Sequence, residues 1–135
     1  MHVILAVDDV PRSVEFYERV FGWERNPLID YSNYVELQGD GGTLGLYERE
    51  GFAAASGAVP AGVPATGQTG TELYVRVDDV ESLLERLRDA DARELRGLTQ
   101  KVWGDDAAYF EDPDGNVVAV AQYTKSTVSD TVTKL

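Results

Sequence analysis

Val3, Leu5 and Val7 alternate with His2, Ile4 and Ala6 at the start of the chain, the period-two pattern of a strand with one buried face. A helical period takes over at once. Asp9 is placed to cap the helix, and Pro11 falls in its first turn, where a missing N–H costs nothing. Val10, Val14, Tyr17 and Phe21 then recur on one side, and Gly22 suits the left-handed residue that ends such a helix.

The succession returns later in the chain. "AVDDV" at Ala6–Val10 recurs as "RVDDV" at Arg76–Val80, "YVE" at Tyr34–Glu36 as "YFE" at Tyr109–Glu111, and "DG" at Asp40–Gly41 as "DG" at Asp114–Gly115. Order is kept, so the chain reads as two copies of one supersecondary unit. Copy two has a strand at Glu72–Val77, a cap at Asp79 and a helix face of Val80, Leu84 and Leu87. Short strands joined by the DG turns follow each helix, which makes each unit β-α-β-β-β. Thirteen of the twenty residues in Gly51–Gly70 are Gly, Ala or Pro, so a linker or flap is expected there rather than core. The division predicted is module one 1–50, linker 51–70, module two 71–123 and a frayed polar tail 124–135.

Alternation also assigns the faces. Val3, Leu5, Val7, Leu44, Leu46, Leu73, Val75, Val77, Val118 and Val120 should pack on the helices, whose apolar stripes need a partner. Thr43, Gly45, Tyr47, Val117, Ala119 and Ala121 then line the open face with His2, Ile4, Ala6, Glu72, Tyr74 and Arg76. In the "YVE" and "YFE" strands Val35 and Phe110 pack inward, leaving Tyr34, Glu36, Tyr109 and Glu111 open.

Composition narrows the function classes. The 135 residues are 43% hydrophobic, enough for one compact domain with its own core. No run approaches the roughly 18 consecutive apolar residues of a membrane span, and the N-terminus lacks a basic-then-apolar leader pattern. Cysteine is absent, which excludes disulfides and thiolate chemistry and makes the cytoplasm the expected location. Twelve Lys and Arg stand against 24 Asp and Glu, a net charge of −12 that repels nucleic acid and anionic membranes. Such a charge attracts a cationic small molecule, or simply keeps the chain soluble.

"HVILAVDDVPRSVEFYERVFGWE" resembles the opening module of the vicinal oxygen chelate superfamily, the glyoxalase/bleomycin resistance/dioxygenase family, and "WGDDAAYFEDPDGNVVAV" resembles its closing hairpin. The resemblance covers about residues 2–122. It implies an α+β fold of two βαβββ modules whose sheets curl around a shared cavity, commonly within a dimer. It also implies four metal-ligand positions, one on each of four strands. Here they are His2, Glu72, Gly45 and Ala119, where metal-dependent relatives carry donors such as a second histidine and a closing glutamate. Two of the four have no side-chain donor, whereas a catalytic divalent ion needs about three protein ligands. The site reads as degenerate, with Glu36 or Glu111 the only rescue.

His2 is then a partner of Glu72 across the cavity floor, a ligand-contacting or proton-shuttling member of that pair, or a residual metal ligand. Tyr34, Tyr47, Tyr74 and Tyr109, with Trp103 in the loop before the closing hairpin, stand among the carboxylates Glu36, Glu72 and Glu111. Tyrosine faces and carboxylates suit a cationic or aromatic ligand, or else cover a sheet face or dimer interface. Phe16, Trp23 and Phe52 are assigned to core or interface. Glu72 and Tyr74 are expected on the central strand of copy two, beside His2. The expectation is a small-molecule binding protein with no cofactor, no nucleic-acid or membrane partner and no assigned catalytic residue, acting as a homodimer that pairs or exchanges its modules. The alternative is a metal-dependent lyase, epimerase or dioxygenase with atypical ligands.

Overall fold

A computed structural model describes residues 1–29, 31–62 and 67–125. Module one runs β1 (His2–Val7), α1 (Val10–Phe21), β2 (Glu24–Arg25), β3 (Tyr34–Gln38), β4 (Thr43–Glu48) and α2 (Arg49–Ser56). Module two runs β5 (Glu72–Arg76), α3 (Val80–Asp89), β6 (Arg93–Gln100), β7 (Asp105–Glu111) and β8 (Val117–Tyr123). Each forms a four-stranded sheet, β1-β4-β3-β2 and β5-β8-β7-β6. β1 lies parallel to β4 and β5 parallel to β8, while the other pairs are antiparallel. The βαβββ repeat is thus an α+β fold of two like modules. No helix among the described residues is long and apolar enough to cross a membrane.

The helix caps form as their chemistry requires. Asp9 accepts a hydrogen bond from the Arg12 N–H, Gly22 closes α1 at φ 69°, and Asp79 accepts from the Ser82 N–H at the start of α3. Val14, Tyr17 and Val20 on α1 and Leu84 and Leu87 on α3 meet Leu5, Val7, Leu44, Leu46, Phe110, Val118 and Val120 in one core. Each of these aliphatic side chains contributes about 1.5–3 kcal/mol of hydrophobic stabilisation. Val3 departs from the expected face. It remains 39% exposed because it lines an open cleft at the free edge of β1.

The closing turn of module two locks onto α1 of module one. The Ser13 hydroxyl donates to Asp114 Oδ2 at 2.8 Å, and the Asp8 N–H donates to Asp114 Oδ1 at 2.9 Å. Arg49 pairs with Asp8 and reaches Asp114 at 3.6 Å. Inside the turn, Asp112 Oδ1 accepts from the N–H groups of Asp114 and Asn116, a self-bonded loop of the kind aspartate supports.

Two sequence expectations change here. The stretch expected as a linker contributes most of α2, because Phe52 and Gly51 find a seat on Tyr47 that composition does not reveal. Of the expected tail, Thr124 is held by a main-chain bond to Gly104 and a side-chain bond to Asp106, and residues 126–135 lie outside the described residues.

Candidate functional site

The open face of the first sheet centres on Glu36. Tyr34 Oη donates to Glu36 Oε2 at 2.9 Å, Asn26 Nδ2 donates to Oε1 at 3.3 Å, and His2 Nδ1 lies 4.0 Å from Oε2. The Glu36 side chain is only 14% exposed. Tyr34 and Tyr47 pack with ring centroids 5.0 Å apart, and Phe52 meets Tyr47 edge-on. Gly51 at the start of α2 touches the Tyr47 ring so closely that a Cβ there would sit 2.4 Å from it. The helix therefore roofs this face, and glycine is what lets it approach. Burial, followed by the bond to Glu36, pushes the Tyr34 hydroxyl up to about 12. Tyr34 is thus a neutral donor at ordinary pH.

The same ring covers Gly45, one of the four positions that the family resemblance implies for metal ligands. A Cβ on Gly45 would lie 2.6 Å from Tyr34 Oη and 3.0 Å from Ile4 Cγ1. Ala119, the matching position in module two, is fully buried, with Tyr74 and Tyr109 its register partners on either side. Both donor-free positions are covered by tyrosine-bearing rows. Among the described residues no three His, Asp or Glu side chains converge as a metal requires. The residues at these positions therefore do not fit a divalent ion.

The second sheet's open face carries cations as well as carboxylates. Tyr74 Oη and Arg76 Nε both donate to Asp105 Oδ2, at 2.5 and 3.0 Å, and the Trp103 indole N–H donates to Tyr74 Oη at 2.9 Å. Asp105 is buried, and its Oδ1 has no partner among the described residues. The bond from Tyr74, then that from Arg76, holds its carboxyl below the ordinary range. Arg76 lies over the rings of Tyr74 and Tyr123, and Lys101 Nζ lies 5.0 Å from the Tyr109 centroid. Arg96 stands opposite Tyr109, and Arg93 pairs with Glu111 at 3.6 Å, which also accepts from Gln68. Burial first, then the nearby Glu72 carboxylate, raises the Tyr109 hydroxyl.

Several expectations are corrected by this geometry. His2 faces Glu36, not Glu72, which is exposed and whose side chain makes no hydrogen bond or ion pair among the described residues. Glu72 and Tyr74 lie on an edge strand, since β5 pairs with β8 alone. Ala119 and Ala121 point to the open side but are fully buried, so they present no surface to a ligand. Phe52 belongs with Tyr47 on the open face rather than in the core, whereas Phe16 is buried and Trp23 packs against the core. Trp103 remains 54% exposed. Among the described residues no hydrogen bond, ion pair or ring contact joins Tyr34, Glu36 or Tyr47 to Tyr74, Tyr109 or Glu111. Sequence reasoning missed Asn26, Lys101 and Asp105 altogether. Only the acidic pair in "WGDD" hinted at Asp105, and nothing in it separates a buried carboxylate from a solvated one.

The model of the glyoxalase/bleomycin resistance protein/dioxygenase superfamily matches residues 1–120. The chain belongs to that superfamily. Protein YraH of Bacillus subtilis, described as uncharacterized, is 26% identical over 121 residues, covering 89% of this chain and 94% of its own. A glyoxalase/bleomycin resistance protein/dioxygenase from Nocardioides superposes with a TM-score of 0.75 at 22% identity, covering 94% of this chain and 84% of its own. Lactoylglutathione lyase from Agrobacterium tumefaciens superposes at 0.66 with 24% identity, covering 90% and 91%. At these identities the structural likeness speaks for the vicinal oxygen chelate fold. That fold hosts several chemistries, so function has to be argued from the site.

Proposed function

We propose that this chain binds a small molecule on the Tyr34–Glu36–Tyr47 face beneath α2, without a complete metal site and without metal-dependent chemistry. The observation that carries this reading is the Tyr34 ring over Gly45, which occupies the space a ligating side chain there would need. Glu36 supplies a carboxylate mostly withdrawn from water, and Tyr34, Tyr47 and Phe52 supply aromatic surface around it. That combination fits a planar or quaternary cation through charge pairing and cation–π attraction. On the second sheet the chain's own Arg76 and Lys101 already sit on the tyrosine rings, which favours the first sheet for a cationic guest. The free edges of β1 and β5 leave strands open to pairing between two copies, and a homodimer is part of the proposal.

The test combines elemental analysis of purified protein with calorimetric titration of an aromatic quaternary ammonium probe, benzyltrimethylammonium, against its uncharged carbon isostere. The cation should bind more tightly, and Glu36→Gln should weaken it by about 1–3 kcal/mol, the cost of losing a partly buried charge partner. Glu72→Gln, at an exposed carboxylate, should change little. About one firmly held divalent metal per chain, or a chelator-sensitive activity, would overturn the reading in favour of a metal-dependent enzyme.

A further inference from the structure

We propose that the cleft between the free edges of β1 and β5 binds an amphipathic monocarboxylate whose acid group is taken by Arg76. This site is separate from the face under α2. Of the four positions that the family resemblance implies for metal ligands, only Glu72 lies on it.

The cleft measures about 490 Å³ and runs along the edge of β5, lined by Val3, Trp23 and Leu44 from module one and by Leu73 and Val75 from module two. That volume and apolar lining suit the body of a small molecule. Each flanking strand pairs on one side only, so nothing in the described fold closes the gap between them.

Arg76, which also lines the cleft, gives it a chemical direction. Its Nε donates to buried Asp105 at 3.0 Å, and its guanidinium lies 5.7 Å from the Tyr74 centroid and 5.1 Å from that of Tyr123. The bond from its Nε edge and the two neighbouring rings therefore hold the group in place. Its terminal nitrogens make no hydrogen bond to the described residues, and the side chain is 49% exposed. A planar fork fixed this way offers two parallel N–H donors to a carboxylate at little entropic cost. Tyr123, 70% exposed, and Trp103 add aromatic surface beside it. Glu72 stands at the opposite end of β5, four residues or about 13 Å away along the strand. It repels a second acid group, so the arrangement selects one charged end and one apolar end.

The experiment titrates isotope-labelled protein with phenylbutyrate, its neutral amide and its amine, following main-chain amides and the arginine side chains by NMR. Phenylbutyrate should give saturable shifts at Val3, Leu73, Val75 and Arg76. The amide should bind about tenfold more weakly and the amine not at all, as expected when a charge-assisted pair is lost. Arg76→Gln should bring acid and amide to the same affinity, with Arg76→Lys intermediate. Should Arg76→Gln disturb the fold, Glu72→Gln provides the second reading, because it should admit suberate, a diacid the natural protein excludes. Equal binding of acid and amide, preference for the amine, shifts confined to Tyr34 and Tyr47, or no saturable shift in the millimolar range would each overturn the proposal. So would shifts at these residues that follow protein dilution rather than added acid, which would assign the cleft to a second copy of the chain.

Discussion

The Tyr17 hydroxyl donates to Asp112 Oδ2 at 2.6 Å across 95 residues of chain, joining α1 of module one to the closing turn of module two. Both side chains are buried, and Asn116 Nδ2 supplies the second bond to the same oxygen at 3.0 Å. Tyr17→Phe leaves the ring packing and the Asn116 bond in place but removes one donor from a buried carboxylate. Denaturant unfolding should report a loss of about 1–2 kcal/mol, and a smaller change would mean that water replaces the hydroxyl.

The same contact sets an alkaline limit. Burial first, and the Asp112 charge second, raise the Tyr17 hydroxyl well above its ordinary value. The folded state keeps this proton at a pH where the unfolded chain has released it. The stabilisation is therefore complete below about pH 10 and declines as pH climbs toward the folded value, by up to about 1.4 kcal/mol per pH unit for one such group. Tyr34, Tyr74 and Tyr109 shift the same way and add to the slope. Unfolding measured from pH 9 to 11 should show a shallower decline in Tyr17→Phe than in the natural chain.

Why the sequence revealed the faces but not the site is visible in one pairing. Alternation places Tyr34, Glu36, Tyr109 and Glu111 on the open side, and that holds. The "YVE" and "YFE" repeat also implies that Glu36 and Glu111 are equivalent, and that fails. Gly45 pairs with Glu36, whereas its counterpart Ala119 pairs with Tyr109. The hairpin loop is one residue longer in module two, and the two-residue slip in pairing keeps every side chain on its face while moving it to another row. Period two is legible in a sequence, but row number depends on turn geometry. The repeat likewise sets His2 against Glu72, whereas the carboxylate it meets comes from β3. Caps at Asp9 and Asp79 were legible because their bonds are local, whereas Asp105 gains its partners from strand β5, far away in the chain.

Tyr34 should titrate near 12, with Glu36 as one cause. Tyrosine ring-carbon NMR across the alkaline range resolves it from the other phenols. In Glu36→Gln the hydroxyl loses its charged acceptor and should ionise at lower pH, moving toward the ordinary value of about 10 without reaching it, because burial remains. An unchanged midpoint would mean that burial alone sets it.

Gly45→Ala tests the packing over the donor-free position of module one. The added methyl meets the Tyr34 ring, itself held by Glu36 and Tyr47, so the structure has little room to yield. Overpacking of this kind should cost about 1–3 kcal/mol. Combined with Tyr34→Ala, the penalty should be less than the sum of the two single changes, because the colliding ring is gone. Strict additivity in the double-mutant cycle would place the strain elsewhere.

Ala119→Glu places a carboxylate at the position where the family resemblance implies one in metal-dependent relatives. In this chain the position is fully buried between the rows of Tyr74 and Tyr109, and no metal-ligating group of three lies among the described residues. The new side chain must therefore displace a tyrosine or hold a charge away from water. Overpacking and an unpaired buried carboxylate together should cost about 3 kcal/mol or more. Added zinc or nickel should recover little of that loss, since the two remaining candidates, His2 and Glu72, lie on different sheets and His2 is turned toward Glu36. Thermal unfolding with and without metal decides it. A variant as stable as the natural chain that melts higher with stoichiometric metal would show that the ligand positions still converge, and the case against metal chemistry in this protein would fall.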